Sequence, residues 1–159
     1  MEDHYFPMTF EALLPLACKW AEEQEERILR EGIALTPAQL DDARVVGIHS
    51  PERVRLLKVD EIPTPSDPIL HAAADATGLI SPLTCGLTLQ YGIFIRTDQW
   101  ADRRLLVHEL VHTGQYERLG GIRSFLQRYL HECLTVGYPM GALEQETIRR
   151  ETEICGARK

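Results

Sequence analysis

Apolar positions recur at three- and four-residue intervals over most of this chain, the helical period, and short strand-like runs interrupt them in two places. Phe10-Glu11-Ala12-Leu13-Leu14 opens the first helical stretch, with Thr9 as its expected N-cap. That pattern continues to Arg30-Glu31 and stops at Gly32. Its second half, Glu22-Glu23-Gln24-Glu25-Glu26-Arg27, reads as a solvated charged face. A second helix is expected from Thr36-Pro37 to about Val46, because proline suits the first helical position. Val54 to Val59 reads as a strand, and a proline-rich segment leads from it to a short helix, Ile69 to Ala76, ended by Gly78. Gly86 to Arg96 is rich in β-branched and aromatic residues and reads as one strand, broken or bulged at Gly92. The main helix is expected from Trp100-Ala101-Asp102 to a left-handed stop at Gly120-Gly121. Two more follow, Ile122 to about Leu134 and Gly141 to about Ile154.

These elements predict an α+β fold: a single helix-dominated domain over residues 1–159, with a small sheet preceding the main helix. Residues 1–80 supply N-terminal helices and the first strand, and residues 81–159 the core that carries the chemistry. A chain of 159 residues can bury roughly 70% of its unfolded surface without staples. A net charge of −7 argues against a nucleic-acid partner. No apolar run approaches the length of a membrane span, and the acidic Met1-Glu2-Asp3 start is unlike a secretory signal, so a cytoplasmic protein is expected. Cys18, Cys85, Cys133 and Cys155 form no C-x-x-C pair, and free thiols are expected in a reducing compartment.

His108-Glu109-Leu110-Val111-His112 carries the most specific chemistry. Residues four apart on a helix lie one above the other, so two imidazoles can grip one zinc ion through nitrogens about 2.0–2.1 Å from the metal. Glu109, one step around, is placed to act as general base on a water at that metal. On a helical wheel His108, His112, Glu109, Gln115 and Tyr116 fall within about 120° of arc, and Val107, Leu110, Val111 and Gly114 fall opposite. Polar groups on a helix with apolar flanks are costly to bury without a partner, and zinc is such a partner. Gly114, on the apolar back, implies close approach of another element.

A catalytic zinc takes three protein ligands as a rule. The candidates are His4, His49, His71, His131 and a glutamate on a following helix, where Gly141 to Thr147 offers Glu144 and Glu146. The metzincin spacing is excluded, because Arg118 stands where its third histidine would be.

His108-Glu109-x-x-His112 with Glu144 after 31 intervening residues resembles the gluzincin metallopeptidases, in particular their minimal single-domain bacterial members. The resemblance extends over about residues 86–150 and leaves the N-terminal half uncovered. It implies a zincin-like core, Zn2+ held by His108, His112 and Glu144, and hydrolysis of a peptide or protein substrate with Glu109 as base. Ile148 stands where the family often carries an aspartate, so another group must orient the ligands. Tyr116 and Tyr138 are the expected donors to the oxyanion. The strand from Leu87 to Ile95 is expected to offer an edge to an extended peptide, with Gly92 allowing close backbone approach. With so short a chain, a shallow substrate groove is expected. The rival expectations are a zinc-stabilised protein with closed four-ligand coordination, completed by His131 or a cysteine, and an interaction or regulatory module on the same scaffold.

Overall fold

The computed structural model describes residues 10–157; Thr9 and His4 lie outside them. Six α-helices and a four-stranded sheet form an α+β architecture in which helices dominate. The long first helix, α1 (Phe10–Glu31), buries Leu13, Leu14, Ala17, Cys18, Ala21 and Ile28, a stripe at helical spacing. Glu25 belongs to the same stripe and is 8% exposed, so the expected solvated charge run is interrupted by one buried carboxylate. It accepts hydrogen bonds from the backbone N–H of Tyr91 at 3.1 Å and from Gln90 Nε2 at 3.1 Å. Burial of this glutamate is offset by pinning a β-turn to the helix.

Strand β1 (Ile33–Ala34) follows at once and is too short to leave a sequence pattern. Helix α2 (Pro37–Val46) starts as expected: Thr36 caps it through its side chain, Gln39 reciprocates, and Pro37 occupies the first turn. Strand β2 (Arg55–Val59) leads through the proline-rich segment to α3 (Pro68–Thr77), capped by Asp67. The run from Gly86 to Arg96 is two strands, β3 (Gly86–Leu89) and β4 (Gly92–Arg96), paired antiparallel with Thr88 opposite Ile93. The single broken strand expected here is therefore a hairpin. Gln90 makes the turn with φ 63°, an uncommon conformation for a residue with a side chain, which is why the turn is poorly marked in the sequence.

The sheet order is β1-β2-β4-β3. Strand β4 pairs parallel with β2 and antiparallel with β3, so β4 is interior and β3 is an edge, as β1 is on the other side. Only the Leu87–Leu89 part of the expected edge segment is available to a further strand. Gly92 is needed for a different reason than the one expected: a Cβ there would lie 2.9 Å from Ile28 Cβ, so the glycine admits α1 onto the sheet. Phe94 faces one core, built with α1 and α5 (Ile122–Thr135). Ile93 and Ile95 face a second core with Leu106 and Leu110 of α4 (Arg103–Leu119) and Ala43 of α2.

Helix α4 is capped by Asp102, whose side chain accepts from the N–H of Leu105, and ends at Gly120 in the left-handed region as expected. At Gly114 a Cβ would meet Val46 Cγ1 at 3.8 Å, an ordinary contact, so helix α2 approaches this back face without requiring a glycine. The last helix, α6 (Ala142–Cys155), lies against α4. Among the described residues no helix is long and apolar enough to cross a membrane, and all four cysteines are free.

Candidate metal centre

Packing α6 against α4 brings Glu144 to the two histidines of the H-E-x-x-H run. One ligand atom each from His108, His112 and Glu144 lies within 4.8 Å of the others. His108 Nε2 is 2.6 Å from Glu144 Oε2, and His112 Nε2 is 3.1 Å from Glu144 Oε1. All three side chains sit at the wall of one cavity, Glu144 4% and His112 7% exposed. A buried carboxylate between two imidazoles offers nitrogen and oxygen donors that can hold one divalent ion.

The outer ring nitrogens are occupied. His108 Nδ1 is 2.9 Å from Glu151 Oε1, and the other oxygen of Glu151 pairs with Arg104 Nη1 at 2.9 Å. His112 Nδ1 is 2.9 Å from Gln115 Oε1, while Gln115 Nε2 donates to the carbonyl of Leu143 at 2.9 Å and to Glu146 at 2.8 Å. With each Nδ1 bonded outward, both Nε2 atoms are turned towards Glu144. The carboxylate at the outer nitrogen of His108 is thus supplied by Glu151, one turn beyond Ile148 on α6. Two groups not foreseen from the sequence complete the surroundings of Glu144: Tyr129 donates to Oε1 at 2.8 Å, and Thr147 donates to the Glu144 carbonyl at 2.6 Å. Tyr129 could have been found on the α5 face that also carries Phe125, one helical turn earlier.

Electrostatics follow from this crowding. Burial lowers the pKa of His108, but the hydrogen bond to Glu144 and the charges of Glu109 and Glu144 outweigh it and raise it to about 9. Burial pushes Glu144 up, yet its hydrogen bonds to His108 and His112 hold it well below the usual carboxylate range. Burial and the Glu144 charge keep the Tyr129 phenol protonated far into the alkaline range.

Glu109 is 5% exposed and lines the same cavity. The Thr88 hydroxyl on edge strand β3 lies 2.6 Å from Glu109 Oε1 and donates to it. Gly86, two residues earlier on the same strand face, leaves the room the carboxylate occupies, since a Cβ there would lie 3.1 Å from Glu109 Oε2. The two expected oxyanion donors fare differently. Tyr116 is 1% exposed and donates to the backbone carbonyl of Thr88 at 3.0 Å, with its ring stacked on Phe125. Its phenol is therefore a strut for the edge strand, with its single proton already committed. Tyr138, from the loop between α5 and α6, stands at the cavity wall, and burial followed by the charges of Glu144 and Glu109 raises its pKa.

The other described histidines lie elsewhere. His131 is exposed on α5 with its ring against Phe10, His71 Nδ1 sits 3.2 Å from the Pro65 carbonyl, and His49 is exposed beside α4. The expected shallow groove is instead an apolar cavity of about 120 Å³, because α1 and α3 wall the space in front of α4. In comparisons with known proteins the chain matches no family model, no curated protein and no solved structure.

Proposed function

We propose that this chain is a zinc-dependent metallopeptidase of the gluzincin type, with His108, His112 and Glu144 as ligands and Glu109 as general base. One observation carries the reading: three ligand candidates converge within 4.8 Å, and the wall they share also presents a carboxylate held by Thr88. When bound, zinc would polarise a carbonyl and lower the pKa of a coordinated water towards about 7. Glu109 then takes the proton of the attacking water and returns it to the departing amine nitrogen. Thr88, donating to Oε1, fixes the carboxylate and leaves Oε2 for that proton. Tyr138 supplies a phenol proton to the developing oxyanion, a role for which its raised pKa keeps it protonated. Edge strand β3 runs along the wall that carries the cluster and is the strand an extended substrate would pair with. His131 lies away from the cluster, which favours this reading over a closed structural site completed by that histidine.

The test has two parts. Elemental analysis of the wild type beside His112→Ala and Glu144→Ala should show stoichiometric zinc in the first and its loss in both variants. Glu109→Gln should retain zinc and lose hydrolysis of an unfolded protein such as casein; retained hydrolysis would remove Glu109 from the mechanism.

A further inference from the structure

The cavity in front of α4 has two unlike ends. His108, Glu109, His112 and Glu144 form one. Leu13 and Ala17 of α1, Leu70 and Ala73 of α3, and Leu126 of α5 wall the other, each of them buried. No aspartate, lysine or arginine lines it among the described residues. Its polar end carries two carboxylates, which disfavours an acidic guest.

Size decides what fits. About 120 Å³ is of the same order as the apolar cavity of roughly 150 Å³ that takes up benzene. One aromatic ring or one branched aliphatic group fits, and a long acyl chain does not. The small side chains of Ala17 and Ala73 leave this space open. Entry is from the rim, where Leu79 and Leu134 are only partly buried and Tyr138 and the neighbouring Leu83 and Val136 are exposed. Strand β3 contributes Gly86, Leu87, Thr88 and Leu89 to the same wall, so a peptide laid along that edge would pass both the ligand cluster and the pocket.

We infer that this cavity is a binding pocket for one benzene-sized apolar group. On the hydrolase reading, from which this part of the inference depends, that group is the substrate side chain flanking the bond to be cleaved. Specificity then comes from the N-terminal half of the chain, through α1 and α3, while the reacting groups come from α4 and α6.

Two hydroxamates with the same chelating head separate the pocket from the metal site. Calorimetric titration of the zinc-loaded full chain should show 3-phenylpropanohydroxamate binding at least tenfold more tightly than acetohydroxamate. Ala73→Phe should bring the two within about twofold while leaving acetohydroxamate unchanged; if that variant does not fold, Ala74→Leu at the half-buried wall replaces it. Equal affinities in the wild type overturn the pocket. If neither compound binds, or the chain takes up no zinc, the hydrolase reading fails by itself and toluene on the zinc-free chain decides the pocket. A rise in melting temperature with toluene, absent in the filled variant, supports it; no rise rejects it.

Discussion

Glu151 stands seven residues beyond Glu144 on α6, two turns along one face, and its Oε1 lies 2.9 Å from Nδ1 of His108. One helix thus offers a candidate metal ligand and, beyond it, the carboxylate that orients a second candidate. Arg104 holds the second oxygen of Glu151, so the 1%-exposed carboxylate is paired on both sides.

From this follows the first prediction. Glu151→Gln keeps the shape and removes the charge that favours a hydrogen on His108 Nδ1. Zinc affinity should fall about 10- to 100-fold, the usual penalty for losing such a partner. Competition with a chromophoric chelator measures it, and an unchanged affinity would make Glu151 a purely structural partner of Arg104.

The metal-free protein should show a specific pH profile. His108 is raised from 6.5 to about 9 in the folded state, so its contribution is fully present below about 6.5 and is lost as pH rises through about 9. Glu144 is lowered from 4.5, so its contribution is present above about 4.5 and is lost only as pH falls through its depressed value. Thermal stability without metal should therefore be highest between about pH 4.5 and 6.5 and decline towards 9. His108→Asn should flatten the alkaline decline in a differential scanning experiment. Because the proton on His108 competes with the ion, zinc affinity should rise across the same alkaline range.

Thr88→Val tests the socket of the general base. The substitution preserves volume and removes the donor at 2.6 Å from Glu109 Oε1. Hydrolysis should fall roughly 10- to 100-fold, as expected when a reacting group loses its positioning, while zinc content stays stoichiometric. Thr88→Ser should restore most of the rate, which a packing role alone would not do.

How legible these relationships are in the sequence depends on their range. The H-E-x-x-H run and the start of α2 at Pro37 are local, and helical period plus the place of proline in a first turn set them correctly. The sequence narrows the third ligand only to a glutamate near the start of α6, because 31 residues separate Glu144 from His112 and several glutamates crowd that helix. Glu151, Tyr129 and Thr88 join the site through the packing of α6, α5 and β3 on α4, which no short-range pattern encodes. Tyr116 shows the reverse: its wheel position is right, yet its hydroxyl donates to the carbonyl of Thr88, supplied by a strand 28 residues away. The apolar pocket was hidden because α1 and α3 appear in sequence only as ordinary amphipathic helices.

Glu25 offers the last prediction, and it links the fold to the site at a distance. Its carboxylate accepts from Tyr91 N–H and Gln90 Nε2, holding the turn between β3 and β4 onto α1. The turn carries Gln90 at φ 63°, so it is held by these bonds against its own backbone preference. Glu25→Ala leaves the Tyr91 N–H without its acceptor in a buried place, a loss of about 1–3 kcal/mol, and urea denaturation should show it. Strand β3 runs straight from this turn to Thr88 and Gly86, which seat Glu109. The same variant should therefore lose hydrolysis under conditions where it is still folded and still zinc-loaded, whereas Thr36→Ala, with a comparable cost of about 1 kcal/mol at the remote α2 cap, should not.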